Sequence, residues 1–385
     1  MVTLNNADNA LKSFYLEALT DTLNNKSNAF LANIEKTSKN VVGKDVKMVV
    51  KTSYNGGISA GTEDGALPTA GANKYVEFVS PLKNLYGTIE ISDKALRASA
   101  NNEGAFVNLL NDEMQSLVQS ATFNFSRMLF GTSDGLVAEV QAMNNNSFAL
   151  DKVAYIVEGM RLDAYNRDGE IIAEGLVVTA VDYESRNITC DGDVDNMEDD
   201  ALLYIHGSKG NEISGLTSIF DDEHLYGMDR SNRIMQPYIV EGVGEISEMK
   251  IQKAIDTIEE KSGAKINLIV CSWDVRRAVI AHFNKYKTML PTMEMDGGFK
   301  AISFNGIPIV VDRACPVGTM YLLNTNDFKL CQLCDWQWLE AEDGKILKQV
   351  PGKAVYTATL VKYAELICER PYGQGRLAGI SDVTE

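Results

Sequence analysis

Residues 104–130 of this chain read GAFVNLLNDEMQSLVQSATFNFSRMLF. The large apolar side chains of this stretch recur at steps of three and four residues, which places them on one face of an α-helix. They are Phe106, Leu110, Met114, Leu117, Ala121, Phe125 and Met128. Asn101 or Asn102 can cap the start of the helix, and Gly131 suits the left-handed position after its end. A helix of this length is about 40 Å long, so we interpret it as a scaffold element.

Two β-rich runs precede the helix and predict a long hairpin. They are VKMVVKTSY (46–54) and KYVEFVSPLKNLYGTIEIS (74–92). Small residues dominate the segment between them, GGISAGTEDGALPTAGA (56–72), which has few side chains that could fill a core. Such a hairpin is only marginally stable alone, so we expect it to need a partner surface.

Residues 1–45 are predicted to form an N-terminal arm. The first half of this segment has apolar residues at helical spacing, but Asn and Ser are frequent from Asn24 to Asn40. A helix there is therefore interrupted or marginal. We expect the arm to become ordered only against a neighbouring molecule.

The chain after the long helix has two parts of different character. Residues 150–236 contain short strands separated by turn residues, a pattern that predicts an inserted antiparallel β-barrel or sandwich. Helix and strand alternate in the later residues, where Ser247 caps a helix that ends at Gly263 and Asn305-Gly306 marks a hairpin. These patterns together predict an α+β fold.

The composition excludes several classes of protein. The chain has 36 Lys and Arg against 53 Asp and Glu, a formal net charge of −17, whereas tight binding of nucleic acid needs clustered Lys and Arg. The N-terminus lacks the basic start and apolar run of a signal peptide. No apolar run reaches the roughly 18 residues that a membrane span requires. We therefore expect the six cysteines to be reduced thiols in a cytoplasm.

Two motifs suggest metal chemistry, and a plainer interpretation is preferred for each. Cys331-Gln-Leu-Cys334 has the spacing of a zinc or redox pair, but it lies in a strand-like run where residues three apart point to opposite faces. We interpret both thiols as core residues. The loop from Asp191 to Asp200 resembles a calcium loop, but an EF-hand needs Gly and Glu where Asn196 and Leu202 stand. We interpret this loop as a solvated turn, with weak cation binding as the alternative.

Two further patterns carry no catalytic signal. Gly373-Gln-Gly375-Arg-Leu-Ala-Gly379 follows a strand, but too few residues remain after it for the crossover helix and second strand of a dinucleotide-binding fold. The three histidines, His206, His224 and His282, stand apart and fit no zinc-protease or serine-hydrolase motif. The sequence therefore predicts no catalytic residue, no cofactor, no metal site and no enzyme activity.

The order of these elements, together with SWDVRRAVIAHF (272–283), FNGIPIVVD (304–312) and LICERPYGQGRLAGI (366–380), resembles the tailed-phage major capsid proteins of the Hong Kong 97-type fold. This resemblance implies seven segments. They are an N-terminal arm (1–45), an extended loop hairpin (46–92), a peripheral domain (93–149) with its spine helix (104–130), an inserted β-rich domain (150–236), an axial domain (237–330), further peripheral-domain strands (331–363), and an axial-domain return with the C-terminus (364–385).

The resemblance also implies a structural function. Subunits of this family form pentamers and hexamers that close an icosahedral shell around DNA, and each extended loop lies across a neighbour. The expected intersubunit contacts at the loop tip are Gly56, Gly57, Thr62, Glu63 and Asp64. Because the chain begins almost directly with the arm, a separate scaffolding protein is expected. The other expected partners are a portal, a possible decoration protein and packaged DNA bound without sequence specificity, but no membrane. The expected location is the virion head, assembled in the cytoplasm of the bacterial host.

Three alternatives remain open at this point. A bacterial nanocompartment shell shares the fold, and adjacent cargo genes in place of terminase and portal genes would indicate it. An oligonucleotide-binding protein could use the inserted barrel, although exposed aromatic residues in a basic groove are needed and this segment is rich in Asp and Glu. A hydrolase could use the carboxylates of residues 191–200, which activity screening with added metals would test.

Overall fold

A computed structural model describes residues 28–95, 103–286, 292–294, 300–340 and 346–382 of the chain. The amphipathic part of the predicted arm before residue 28 and the predicted caps Asn101 and Asn102 lie outside these ranges. Within them the chain forms one central five-stranded sheet, a closed β-barrel, a second sheet of seven strands and a projecting hairpin.

The central sheet and the long helix pack face to face. The sheet contains β1 (Glu35–Thr37), β5 (Lys83–Ser92), β20 (Phe328–Trp338), β21 (Lys348–Gln349) and β22 (Val355–Cys368). Residues 104–130, whose apolar spacing predicts a helix, lie in the long helix α2 (Glu103–Phe130). A Cβ atom added at Gly87 of β5 would lie 3.0 Å from the side chain of Leu117, so the glycine allows helix and sheet to approach closely. Met114 and Val118 are buried in this contact.

The last part of the predicted arm is a core element of this same chain. A short helix, α1 (Ala29–Ala32), is capped by the Asn28 side chain, which accepts a hydrogen bond from the Leu31 N–H. Phe30 is fully buried and packs edge-on against Phe130 and Phe328, at ring-centroid distances of 6.2 and 5.1 Å. The expectation that the arm orders only against a neighbour is therefore wrong for residues 28–45, because burial of Phe30 fixes them within the subunit.

The predicted hairpin is shorter than the sequence suggested. Strands β3 (Asp45–Ser53) and β4 (Lys74–Pro81) pair with each other, and β2 (Val41–Val42) extends them to a three-stranded ribbon. Strand β5 leaves this ribbon and pairs instead along β22 of the central sheet. Strand β4 ends at Pro81, which has no backbone N–H to donate to a ladder.

The barrel begins earlier and ends earlier than the predicted insertion at 150–236. Its six strands are β6 (Leu136–Asn144), β7 (Ser147–Leu150), β8 (Arg161–Tyr165), β9 (Ile171–Asp182), β10 (Asn187–Asp191) and β11 (Leu202–Ile205). Strands β6 and β7 form a tight hairpin in which Asn145 has a positive φ of 51°.

The segment that follows the barrel belongs to the central core. It contains the helix α3 (Leu216–Asp221), the strands β12 (His224–Leu225) and β13 (Met228–Asp229), and a 3₁₀ turn (Arg233–Met235). Its buried residues Ile213, Leu216 and Phe220 pack with the central sheet. Long-range packing of this kind leaves no local pattern in the sequence, which is why the predicted insertion extended too far.

The seven-stranded sheet and two helices form the remaining domain. In spatial order its strands are β14 (Tyr238–Val240), β23 (Gly375–Leu377), β19 (Met320–Leu323), β15 (Leu268–Cys271), β18 (Ile307–Val311), β17 (Lys300–Phe304) and β16 (Thr292–Glu294). Its helices, α4 (Glu248–Ser262) and α5 (Trp273–Tyr286), bury Ile251, Ile258 and Phe283 against the sheet. Ser247 accepts the Lys250 N–H at the start of α4, and Gly263 ends it in the left-handed conformation. Two further 3₁₀ turns lie at Thr325–Asp327 and Pro371–Gly373.

Among the described residues, no helix combines the length and the apolar character needed to cross a membrane.

Candidate functional site

The five predicted contact residues lie in the loop that joins the two long strands of the hairpin. This hairpin tip comprises residues 54–73, between the end of β3 and the start of β4. Gly57 is partly covered, whereas Gly56, Thr62, Glu63 and Asp64 are exposed. The tip therefore presents backbone and small side chains to the surroundings of the subunit.

Two glycines form a narrow neck at the base of the tip. A Cβ atom added at Gly57 would lie 2.7 Å from the backbone nitrogen of Gly71, so neither arm of the loop has room for a side chain here. The Asn55 side chain accepts a hydrogen bond from the Gly57 N–H at 2.9 Å. The glycines of this segment provide no side chains for a core. They also allow the two arms of the loop to lie close together.

A turn shapes the outer end of the tip. The Gly65 N–H donates to the Thr62 carbonyl at 3.1 Å, which places Glu63 and Asp64 at the two corners of the turn. Neither carboxylate carries an ion pair within the described residues.

The tip also exposes large apolar side chains. Tyr54, Ile58 and Leu67 are 90%, 88% and 91% exposed, and on the adjoining strands Val49 and Tyr75 are 67% and 60% exposed. Isolated exposed apolar residues are ordinary, but here five large apolar side chains are exposed on one hairpin. Sequence reasoning chose the tip by its small residues and missed Ile58 and Leu67, two of its exposed large apolar side chains.

Cys331 and Cys334 do not form a metal or redox site. Cys331 is fully buried in the central core, whereas Cys334 is only partly buried on the same strand. Burial raises the pKa of the Cys331 thiol to about 12, which makes this thiol a poor nucleophile and a poor metal ligand at neutral pH.

The acidic loop 191–200 joins two barrel strands, and two of its carboxylates accept hydrogen bonds from backbone N–H groups. Asp193 accepts the Asp195 N–H at 3.2 Å, and Asp199 accepts the Met143 N–H at 3.1 Å. Across the described part of the chain, no three His, Cys, Asp or Glu side chains are grouped so as to hold a metal ion.

The three histidines lie in different parts of the molecule. His206 contacts Asp163 at 2.7 Å, and His224 lies 3.7 Å from Asp229, while His282 is on α5. Burial of Asp163 opposes ionisation, but hydrogen bonds from His206 and from the Gly207 and Gly175 N–H groups hold the pKa of this carboxyl below its usual value. Through these hydrogen bonds Asp163 of β8 connects β9 with the residues that follow β11 at one end of the barrel.

The glycines near the C-terminus serve close packing. A Cβ atom added at Gly375 would lie 2.5 Å from the Ile258 side chain, so this glycine lets α4 lie directly on β23. Gly379 has a φ of +68° and approaches the backbone of Gly242.

Sequence reasoning missed the charged side chains that hold the segment after the barrel to the long helix and the central sheet. Arg127 of α2 and Glu212 are 4% and 1% exposed and form an ion pair. Lys83 donates to the Gly210 carbonyl at 2.8 Å. Glu365 is fully buried on β22, where one carboxyl oxygen accepts the Ser214 N–H at 2.8 Å. The one available signal was a charge inside an apolar run, as in LVKYAELIC (360–368).

Glu365 gives the subunit a pH-dependent stability. Burial raises the pKa of this carboxyl to about 7 from an ordinary value of 4.5, although the Ser214 N–H favours the charged form. At low pH the carboxyl is protonated in both folded and unfolded chains. Between about pH 4.5 and 7 only the unfolded chain loses the proton, so this group lowers the free energy of unfolding by up to roughly 3 kcal/mol as the pH rises.

We expect Glu365→Gln to stabilise the protein at pH 8 relative to the unchanged chain, by roughly 1–3 kcal/mol. The amide removes the cost of the buried charge and can still accept from Ser214. The difference should be several-fold smaller at pH 5, where the folded chain keeps the proton. Urea unfolding at both pH values measures it, and comparison at each pH cancels the titration of other groups. An equal effect of the substitution at pH 5 and pH 8 would show that Glu365 does not titrate in this range.

No family model matches the sequence, and no curated protein matches it.

Solved structures do match the fold. A chain of the cyanophage A-1(L) capsid asymmetric unit is similar to 91% of this chain over 90% of its own length, with 10% sequence identity and a TM-score of 0.55. Matches at lower scores include the capsid of a native GTA particle (11% identity, 92% and 91% coverage, TM-score 0.48) and the SrpI encapsulin complex from Synechococcus elongatus PCC 7942 (10% identity, 91% and 86% coverage, TM-score 0.46). The likeness to the cyanophage chain confirms the predicted α+β capsid fold of the Hong Kong 97 type.

Proposed function

We propose that this chain, which has the fold of a phage capsid subunit, is the major capsid protein of a tailed phage. It assembles with copies of itself into pentamers and hexamers, and these close an icosahedral head around double-stranded DNA. The observation that carries the proposal is the hairpin tip, where Ile58 and Leu67 are 88% and 91% exposed on the free subunit.

The tip gives the assembly a driving force. Burying Tyr54, Ile58 and Leu67 on a neighbouring subunit would contribute about 1.5–3 kcal/mol per side chain, before the entropy of ordering the loop is subtracted. The same contact would be repeated at every subunit boundary of a shell. Gly56, Gly57, Thr62, Glu63 and Asp64 line this contact, with the two carboxylates directed at cationic groups of the neighbour.

The other partners follow from the same function. A separate scaffolding protein guides curvature, a portal occupies one vertex, and a decoration protein is possible on the outside. Packaged DNA is held without sequence-specific contacts, in keeping with the net charge of −17. Assembly takes place in the cytoplasm of the bacterial host, and the finished subunit resides in the virion head.

We expect the purified protein to form megadalton particles in a concentration-dependent manner, alone or with its scaffolding protein. Mass action drives this process, because the apolar tip is covered only in the assembled state. Size-exclusion chromatography with light scattering measures the mass, and electron microscopy shows the particles. A strictly monomeric protein in the presence of the scaffolding protein would refute the proposal. Particles that enclose a dedicated enzyme cargo in place of DNA would indicate the nanocompartment alternative.

We expect the mature shell to contain no covalent links between subunits. An isopeptide link across a boundary needs a lysine far out on the tip, where it can be desolvated against a neighbour. Residues 52–73 contain no lysine, and Lys51 and Lys74 stand where the paired strands end, at the inner end of the tip. Boiled particles should therefore run on a denaturing gel as one band near 42.3 kDa. A ladder of dimers, pentamers and hexamers would contradict this prediction.

A further inference from the structure

One lysine of the central sheet is buried in an unusual setting. Lys362 of β22 is fully buried, although lysines are almost never buried without a partner. The Lys362 Nζ donates to Oε1 of Gln332 at 2.9 Å and to Oδ1 of Asp335 at 2.5 Å. An amine, a primary amide and a carboxyl group therefore meet at one point between two neighbouring strands.

The strand geometry creates this meeting. The pairing of β20 with β22 is regular as far as Gln332, then shifts register between Gln332 and Cys334 and again between Cys334 and Gln337. Lys362 lies opposite this irregular part of β20. Bulges of this kind redirect side chains and are over-represented next to active sites. Here the bulge lets Gln332 and Asp335, three residues apart on one strand, both reach the same amine.

The surroundings of the amine are mostly aromatic and apolar. The Nζ atom lies 5.3 Å from the centroid of the Phe125 ring and 5.9 Å from that of Trp336. Removal from water lowers the pKa of Lys362, while the neighbouring Asp335 opposes this effect. Desolvation is the standard means of turning a lysine into a nucleophile. The Asp335 side chain is 31% exposed, which leaves a path to solvent for a small product.

We propose that Lys362 and Gln332 form an isopeptide bond within the subunit, with Asp335 as the proton carrier. The Nζ atom gives a proton to Asp335 and attacks Cδ of Gln332. A bond forms between Nζ and Cδ, and the bond between Cδ and Nε2 breaks. Two protons from the lysine go to the leaving nitrogen, which departs as ammonium, and Asp335 returns to a carboxylate. No oxidant, metal or second protein is required.

The bond would lock β20 to β22 at the bulge, where the backbone ladder is weakest. It would be a link inside one chain, so denatured subunits would keep their ordinary position on a gel. The proposal is thus independent of assembly and of the absence of links between subunits.

Intact-mass measurement of the full-length, denatured protein tests the proposal. We expect a mass lower than that of the sequence by one ammonia, and a proteolytic peptide in which segments containing Gln332 and Lys362 are joined. The peptide map is essential, because an Asn-Gly sequence such as Asn305-Gly306 can also lose ammonia by cyclisation. A protein with the full sequence mass and no joined peptide would overturn the proposal and leave Lys362 in a noncovalent ion pair only.

Three variants refine the test. Lys362→Met removes the nucleophile and should give the full mass. Asp335→Asn keeps amine and amide but removes the proton carrier, so the joined peptide should form about 100-fold more slowly or not at all. Lys329→Met is the matched control, because Lys329 lies on the same strand as Gln332 but forms its ion pair with Glu369. We expect the Lys329→Met protein to give the same yield of the joined peptide as the unchanged chain. Equal yields of the joined peptide from Asp335→Asn would refute the role of Asp335.

Discussion

Replacing residues 54–73 with Asn-Gly should abolish shell formation and leave the melting temperature of the free subunit nearly unchanged. Ser53 and Lys74 are paired at the end of the hairpin, and the Ser53 side chain accepts the Lys74 N–H. A two-residue Asn-Gly turn can therefore close the ribbon without strain. The removed tip contributes no buried apolar side chain to the subunit, so its loss costs little folding free energy.

Two finer variants separate the tip from general surface effects. The double substitution Ile58→Ser and Leu67→Ser keeps the loop but removes its apolar contact groups, and we expect a fall in particle yield of at least tenfold. Ile171→Thr is the control, because Ile171 is 48% exposed on a barrel strand away from the hairpin. Its particle yield should stay at that of the unchanged chain. Light scattering at matched subunit concentrations measures the particle yield of the shortened hairpin, the double substitution and the control. Full particle yield from the shortened hairpin would refute the intersubunit role of the tip.

The excised barrel, residues 133–210, should fold alone, whereas residues 150–236 should not. The shorter fragment keeps all six barrel strands and the hydrogen bond from the Tyr204 hydroxyl to Asp134. The other fragment lacks β6 and most of β7, so it loses Val137, Val140 and Phe148 from the barrel core. At about 1.5–3 kcal/mol per side chain this amounts to about 5–9 kcal/mol. A loss of this size is comparable to the whole stability of a small domain, about 5–15 kcal/mol.

Circular dichroism and thermal melting distinguish the two fragments. We expect a β-type spectrum and a cooperative transition for residues 133–210, and neither for residues 150–236. A random-coil spectrum from both would mean that the barrel depends on the rest of the subunit, for example on the contact between the Tyr155 hydroxyl and the Arg313 carbonyl. Cooperative folding of residues 150–236 would contradict the strand pairing described above.

The sequence alone determined those elements whose signal is local. The apolar spacing of the long helix, the cap at Ser247, the left-handed Gly263 and the small residues of the hairpin tip are each set within a few neighbouring positions. The order of these elements was sufficient for the resemblance to the capsid fold. It was also sufficient to select the tip as the candidate contact site, whose role between subunits stays a prediction.

The tertiary structure decided what depends on pairing between distant segments. Strand β5 reads as the second half of a hairpin but pairs with β22, more than two hundred residues later. The barrel takes in β6 and β7, and Phe30 enters the core beside Phe328. Such partners are chosen by the total apolar surface that the whole fold buries, and no window of sequence contains that sum. The buried carboxyl of Glu365 and the amine of Lys362 follow the same rule, since their burial and partners exist only after distant strands have met.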